Sequence, residues 1–139
     1  KGKLENVRVL GPARGKTQVE VSITDTFLLG VEPVVRMSGD TAGTPGCRIA
    51  GPAGEVLLAE GVIAAARHLH ISLEEAQAYG VSNGEVVQVV KEGVRETVFG
   101  NVVVRADAAF ALELHLDTDE ANAAQIKNGD LLRLVKRHA

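Results

Sequence analysis

The chain has 139 residues, of which 45% are hydrophobic and 24% are charged, and its formal net charge is −3. This composition is typical of a folded domain with an apolar core and argues against a disordered protein. The slight negative charge and the lack of a Lys/Arg block argue against nucleic-acid binding, and no apolar run reaches the roughly 18 residues of a membrane-spanning helix.

Short β-branched runs, many of them separated by glycine, proline or asparagine, dominate the chain. The first clear one alternates from Val19 to Ile23 and places its apolar residues on one face. Further strands are predicted over residues 34–36, 48–50, 56–58, 61–66, 86–90, 94–99, 101–104 and 110–115. Short strands at this spacing predict a barrel or a sandwich rather than an α/β sheet.

Two short helices are predicted from capping signals. Ser72 and Glu75 have the spacing of a capping box, and Gly80 is placed to end that helix. Asp117 and Glu120 repeat the arrangement near the C-terminus, and carboxylates in a first helical turn suit the helix dipole.

These helices belong to an internal repeat. A shift of 45 residues places 70–90 on 115–135 without a gap, so each copy reads as strand, histidine, capped helix, Asn-Gly turn and strand. The Asn-Gly pairs are expected to supply the positive φ angles of a tight turn. Two generic β-turn-α units could look alike by chance, but a match through a cap, a turn and a histidine favours structural duplication. It predicts two related lobes, each a small barrel with short helices over its openings.

Three histidines are candidate metal ligands. His68 and His70 lie two apart in a strand, so their side chains share one face. His115 occupies the equivalent corner of the second copy, while His138 is given no role. Three neutral imidazoles leave a fourth position open on zinc, as in catalytic sites. The alternative is that these are hydrogen-bonded core or surface histidines.

One acidic residue and two arginine loops are further candidates. Glu20 stands on the polar face of its strand, either as a solvated residue or as a metal ligand. Arg14 lies in a Gly/Pro turn, and Arg36 stands close to Ser38 and Gly39. An arginine beside small residues suits an oxyanion cradle, although each stretch taken separately favours an exposed surface turn.

Six segments together resemble a known family. In family order they are G-P-A-R at 11–14, T-Q-V-E at 17–20, P-V-V-R-M-S-G at 33–39, G-P-A-G at 51–54, R-H-L-H at 67–70 and H-L-D-T-D-E-A-N-A at 115–123. With these segments the chain resembles the phosphate propanoyltransferases, the phosphotransacylases of propanediol-utilisation microcompartments.

The resemblance implies a mainly β fold of two β-barrels with short capping helices and a two-zinc site. It implies reversible transfer of an acyl group, propanoyl or acetyl, between coenzyme A and phosphate. The implied site residues are His68, His70 and His115 for one zinc, Glu20 for the second, Arg14 and Ser38 as catalytic residues, and Arg14, Arg36, Ser38 and Gly39 for binding phosphate or coenzyme A.

The chain departs from the family at its start. The family carries an earlier R-H-x-H segment on the second zinc, and this chain begins after the expected position of that segment. We therefore expect one complete zinc site and a second that is only partly present. The first barrel, which the family builds from both chain ends, is expected to be incomplete, with residues 1–92 forming mostly the central lobe and residues 93–139 the C-terminal part of the two-ended lobe.

The expected partners are acyl-CoA and phosphate, with no nucleic acid and no membrane. Two other functions stay open, a metal-binding barrel module without catalysis and a zinc hydrolase acting on thioesters. The single Cys47 makes the cytoplasm the expected compartment. The resemblance extends this to the interior of a microcompartment, and leaves a homo-oligomer or an association with its shell or cargo open.

Overall fold

Glycine, proline and asparagine interrupt the β-branched runs every few residues, so the chain folds into short elements. The computed structural model describes residues 2–13 and 15–136, in which there are ten strands and three α-helices. The elements are β1 Val19–Glu20, α1 Ile23–Leu29, β2 Val35–Arg36, β3 Cys47–Gly51, β4 Gly54–Leu58, β5 Val62–Ala65, β6 His68–Ile71, α2 Leu73–Tyr79, β7 Val86–Lys91, β8 Thr97–Ala106, β9 Glu113–His115, α3 Thr118–Ala124 and β10 Arg133–Val135. The predicted mainly β fold class with short capping helices is confirmed. The chain divides into two compact units, Lys1–Ala65 and Ala66–Ala139.

The first unit contains a small parallel sheet and a separate hairpin. β5 is the central strand and pairs in parallel with β1 on one side and β2 on the other. β3 and β4 form the antiparallel hairpin. Val62 and Ile63 of β5 are buried, as expected for a central strand. This arrangement puts Glu20 and Arg36, from β1 and β2, on the two strands that flank β5.

The second unit is built on a five-stranded sheet in the order β10-β7-β8-β6-β9, curled into a half-barrel. β6 and β8 are parallel, and the other neighbours are antiparallel. Between Val87 and Val89 the register shifts, so that Gly100 and Asn101 of β8 face one residue of β7. Asn101 has a left-handed φ of 54°. Such a bulge increases local twist and helps a sheet to curl.

Aliphatic side chains from this sheet, from α2 and α3 and from the adjoining loops form the core of the second unit. They need little aromatic volume, because β-branched residues pack closely on a pleated surface. Phe99 is the aromatic member of the cluster. The buried residues are Leu69, Ile71, Ala76, Val81, Val87, Val89, Phe99, Val102, Val104 and Ala124.

Both predicted capping boxes are present. The Ser72 side chain accepts a hydrogen bond from the Glu75 amide, and the Glu75 carboxylate accepts one from the Ser72 amide. Asp117 and Glu120 make the same exchange at α3. Gly80 ends α2 in the left-handed conformation, as predicted. No described helix is long and apolar enough to cross a membrane.

The predicted strand from Val19 to Ile23 is wrong in its second half. β1 ends at Glu20, and Ile23 begins α1. Ser22 caps this helix, because its side chain accepts a hydrogen bond from the Asp25 amide. The Asp25 carboxylate in turn accepts one from the Ser22 amide. The local capping box prevails over the alternating pattern because it satisfies helix N-terminal amides within four residues.

The strands predicted at 94–99, 101–104 and 110–115 also differ from the structure. The first two are one continuous strand, β8, and the third is shortened to β9. Residues 93–96 instead form a turn, in which Gly93 has a φ of 123° and its carbonyl accepts from the Glu96 amide. Glycine adopts this positive φ readily, and the turn that contains it separates β7 from β8.

The repeat corresponds to two similar substructures, β6-α2-β7 and β9-α3-β10. In each Asn-Gly pair the glycine alone takes a positive φ, 82° at Gly84 and 92° at Gly129. The two leading strands, β6 and β9, are themselves antiparallel neighbours. The assignment of residues 1–92 and 93–139 to two barrel lobes stays a prediction.

Replacing Ser72 by alanine removes the α2 cap and should lower the free energy of unfolding by about 1 kcal/mol. The control is Ser82→Ala, an exposed turn serine, which should stay within about 0.5 kcal/mol of the parent. Urea denaturation followed by circular dichroism measures both values. Equal stabilities of the two variants would contradict the assigned role of the cap.

Candidate metal centre

Strand pairing in the second unit brings three histidines together. His68 and His70 alternate with Leu69 along β6, so both imidazoles leave the same face of the sheet. β9 runs antiparallel beside β6, and His115 lies directly opposite His68. A ring from the second copy of the repeat therefore joins two rings from the first.

The three rings are in close contact. Their centroids are 4.9 Å apart for His68 and His70, 4.5 Å for His68 and His115, and 4.4 Å for His70 and His115. One ring nitrogen from each lies within 4.8 Å of the other two. Ligand nitrogens around one zinc ion lie up to about 4 Å apart, given Zn–N bonds of about 2.0–2.1 Å.

A backbone hydrogen bond fixes the tautomer of His68, whose side chain is buried. Nδ1 lies 2.9 Å from the carbonyl oxygen of Ala66. A carbonyl oxygen can only accept, so Nδ1 carries a hydrogen, and in the neutral ring the lone pair is then on Nε2. Metal-ligating histidines commonly donate their second N–H in this way.

The surroundings of His70 favour its neutral form. Burial lowers the pKa of His70 below its ordinary value. Repulsion by His115 and His68, when those rings are protonated, and by Arg105 lowers it further, against an opposing effect of Glu113. Its ring also stacks on an aromatic side chain, Phe110, with centroids 4.2 Å apart. A neutral imidazole is the form that binds a metal ion.

His115 provides the sharpest sign that the cluster fits a cation. Its Nε2 is buried and makes no hydrogen bond with the described residues. Glu113 Oε2 lies 3.3 Å away without forming one, and that carboxylate is mostly exposed. A buried ring nitrogen without a partner is costly unless an ion or a water satisfies it. The three-nitrogen donor set is therefore suited to a borderline metal such as zinc.

Gln18 organises a second group of candidate residues in the first unit. Its Nε2 donates to Glu20 Oε1 at 2.6 Å and to Ser38 Oγ at 2.9 Å, and its Oε1 accepts from the Gly39 amide at 2.7 Å. Sequence reasoning assigned no role to Gln18. The available signal was its position two residues before Glu20, which places both on one face of a strand.

The two arginine candidates are placed differently. Arg36 Nε lies 3.6 Å from Asp40 Oδ2, and its Nη1 donates to the carbonyl oxygen of Val35. The Asp40 carboxylate therefore partly neutralises the positive charge of Arg36. Arg14 lies outside the described residues.

Replacing His70 or His115 by alanine should weaken Zn²⁺ binding by more than the 10- to 100-fold typical of losing an outer-sphere partner, because a direct ligand is removed. Competition with a chromophoric chelator measures the affinity. His138→Ala is the histidine control, since the sequence gives that residue no role. Equal Zn²⁺ affinities of the His115 and His138 variants would contradict the metal centre.

Comparison with known proteins shows the family of this chain. A family model described as phosphate propanoyltransferase matches residues 1–127. The phosphate propanoyltransferase of Thermotoga maritima is 53% identical over 113 residues, which cover 81% of this chain and 54% of that protein. Those of Citrobacter koseri and Enterococcus faecalis are 50% and 48% identical, covering 81% and 80% of this chain and 54% and 53% of the relatives. The chain thus spans about half the length of these curated relatives. On this match the chain belongs to the phosphate propanoyltransferase family.

Proposed function

We propose that the complete gene product is a zinc-dependent phosphotransacylase that moves an acyl group reversibly between coenzyme A and inorganic phosphate. Membership of the phosphate propanoyltransferase family supports the acyl transfer. The observation that carries the metal dependence is the cluster of three histidines, in which a buried ring nitrogen makes no hydrogen bond with any residue that the structure describes. Three protein ligands leave a coordination position for substrate.

His68, His70 and His115 would hold the zinc ion. When bound, zinc supplies a Lewis acid that polarises the thioester carbonyl or stabilises the departing thiolate. Glu20 would serve a second zinc. The bond from Gln18 supports this role, because an oriented carboxylate loses less entropy on binding an ion.

Ser38 and Arg14 would bind the phosphate. Ser38 Oγ already accepts a hydrogen bond from Gln18, which leaves its own O–H to donate to an anion. Arg14 would orient phosphate by a bidentate contact and balance its charge. Arg36 would contribute positive charge from beside Asp40. Gly39 would line the site with its backbone, because its amide is already bonded to Gln18.

The chemical step needs no covalent enzyme intermediate. A phosphate oxygen attacks the carbonyl carbon, a C–O bond forms, and the C–S bond breaks to release coenzyme A as a thiolate that takes a proton from solvent. Cys47 does not suit an acyl-enzyme role, because burial raises the pKa of its thiol and so disfavours the thiolate. Positioning and electrostatics account for the rate.

The zinc-loaded gene product should convert propanoyl-CoA and phosphate to propanoyl phosphate and free coenzyme A. Thiol release can be followed with a disulfide reagent, and the acyl phosphate trapped with hydroxylamine. Removal of zinc by a chelator should abolish turnover, and added Zn²⁺ should restore it. Absence of acyl phosphate from the zinc-loaded protein would refute the proposal.

A thioester hydrolase is the second candidate, since a three-histidine centre with an open position supports it equally. In that case water replaces phosphate as the nucleophile. Thiol release would then be independent of phosphate, and the carboxylic acid would be the acyl product. A metal-binding module without catalysis would bind zinc and release no thiol.

Ser38→Ala should raise the KM for phosphate about tenfold, as expected for one lost hydrogen bond to a charged group. The KM for propanoyl-CoA should change less. Ser38→Thr keeps the hydroxyl and is the matched control. Equal phosphate KM values for the alanine and threonine variants would remove Ser38 from the phosphate site.

The acyl chain and the cellular setting form part of the same proposal. Propanoyl is preferred because the relatives are named for it, and acetyl is the other candidate. The family resemblance supports a cytoplasmic enzyme working inside a propanediol-utilisation microcompartment. Comparison of kcat/KM for propanoyl-CoA and acetyl-CoA tests the first point, and fluorescence localisation of the tagged protein in shell-forming cells tests the second.

A further inference from the structure

Arg67 immediately precedes the first histidine of the metal centre, and its side chain contacts three different groups. Its Nε forms an ion pair with Glu120 Oε1. Its Nη1 donates to the carbonyl oxygen of Gly100 at 2.9 Å, and its guanidinium carbon lies 5.4 Å from the centroid of the Phe99 ring. Phe99 is 2% exposed, so this face of the guanidinium rests on the core.

Glu120 links this ion pair to the corner that carries His115. Its second oxygen, Oε2, accepts from the Asp117 amide at 3.0 Å, and its own amide donates to Asp117 Oδ1 at 2.8 Å. Asp117 is only two residues beyond His115. One carboxylate therefore binds Arg67 with one oxygen and the start of α3 with the other.

The burial of this pair sets it apart from an ordinary surface ion pair. The Arg67 and Glu120 side chains are 35% and 18% exposed, against 60% and 65% for Arg133 and Glu92, a surface pair of the same unit. Partial desolvation strengthens the attraction and makes an unpaired Glu120 costly. An exposed pair contributes little by comparison.

The repeat shows that this contact is not a general feature of the duplicated unit. Residues 45 positions from Arg67 and Glu120 are Leu112 and Glu75. Glu75 binds the cap backbone at Ser72 with its Oε2, as Glu120 does at Asp117, but Leu112 cannot form an ion pair. Between the two copies of the repeat, the described residues therefore show the arginine contact at the corner that holds His115.

We propose that Arg67 is a positioning residue for the metal centre. Through Glu120 it holds the corner between β9 and α3, and it thereby keeps His115 opposite His68. Arginine is required rather than lysine, because its planar fork reaches the carboxylate and the Gly100 carbonyl together while stacking on Phe99. This inference rests on the zinc site of the proposed function.

The test is a double-mutant cycle on Zn²⁺ affinity, using Arg67→Gln, Glu120→Gln and the double variant in the full chain. Glutamine at 120 retains an oxygen for the Asp117 amide, so the cap is kept. Arg133→Gln is the matched control, since it removes a surface Arg–Glu pair from the same unit. Affinity is measured by chelator competition, and the free energy of unfolding of the zinc-free chain by urea denaturation.

Each single variant should bind Zn²⁺ about 10- to 100-fold more weakly, as for other outer-sphere partners. The double variant should be within about threefold of the weaker single variant, because both changes remove one interaction. Arg133→Gln should bind as the parent does. If the Arg67–Glu120 pair had a purely structural role, its loss would lower the free energy of unfolding. The Zn²⁺ affinity of the folded protein would then stay unchanged. If Arg67→Gln does not fold, Arg67→Lys takes its place in the cycle, with a smaller loss expected.

Two results would overturn this inference and leave the proposed metal centre standing. One is a parent that binds Zn²⁺ and variants that bind within about threefold of it. The other is a double variant whose loss is the product of the two single losses, which would mean that Arg67 and Glu120 act independently. A parent chain that does not bind Zn²⁺ would instead overturn the proposed metal centre, and this inference with it.

Discussion

The antiparallel register between β6 and β9 is the constraint on which the candidate centre depends. It places His68 directly opposite His115 and His70 opposite Glu113. Side chains alternate between faces along a strand, so a shift of one residue would turn His115 to the other side of the sheet. The apolar residues of the same strands, such as Leu69, face the core and prevent that shift.

The caps of α2 and α3 help to hold this register, because they lie next to the ends of β6 and β9. Helices of seven residues have little intrinsic stability, and they depend on their caps and on one buried face. Each cap lies where a strand of the repeat ends, so it fixes the strand end as well as the helix start. A histidine near such a corner is held by backbone on both sides, which suits a metal ligand that must keep its orientation.

In the first unit, a side-chain amide fixes the orientation of the candidate site residues. Gln18 is bonded to Glu20, Ser38 and Gly39, which come from β1 and from the loop after β2. An amide can donate and accept together, so one residue satisfies a carboxylate, a hydroxyl and a backbone N–H. A carboxylate in its place could not donate to Glu20, and it would add repulsion between like charges.

Local signals were sufficient for much of this protein. The sequence by itself determined the short-strand β character, the caps of α2 and α3 and the shared face of His68 and His70, because each depends on residues within one turn or one strand. It also revealed the repeat, because that needs only a comparison of the sequence with itself. Its errors were also local. At α1 a capping box competed with alternation, and the strands predicted at 94–99, 101–104 and 110–115 had wrong limits. Only the tertiary structure decided that β9 lies beside β6, that Gln18 joins Glu20 to Ser38, and that Arg67 reaches Glu120. Those contacts join residues up to 53 positions apart, and the folding that brings such residues together depends on the packing of the whole unit rather than on any local pattern.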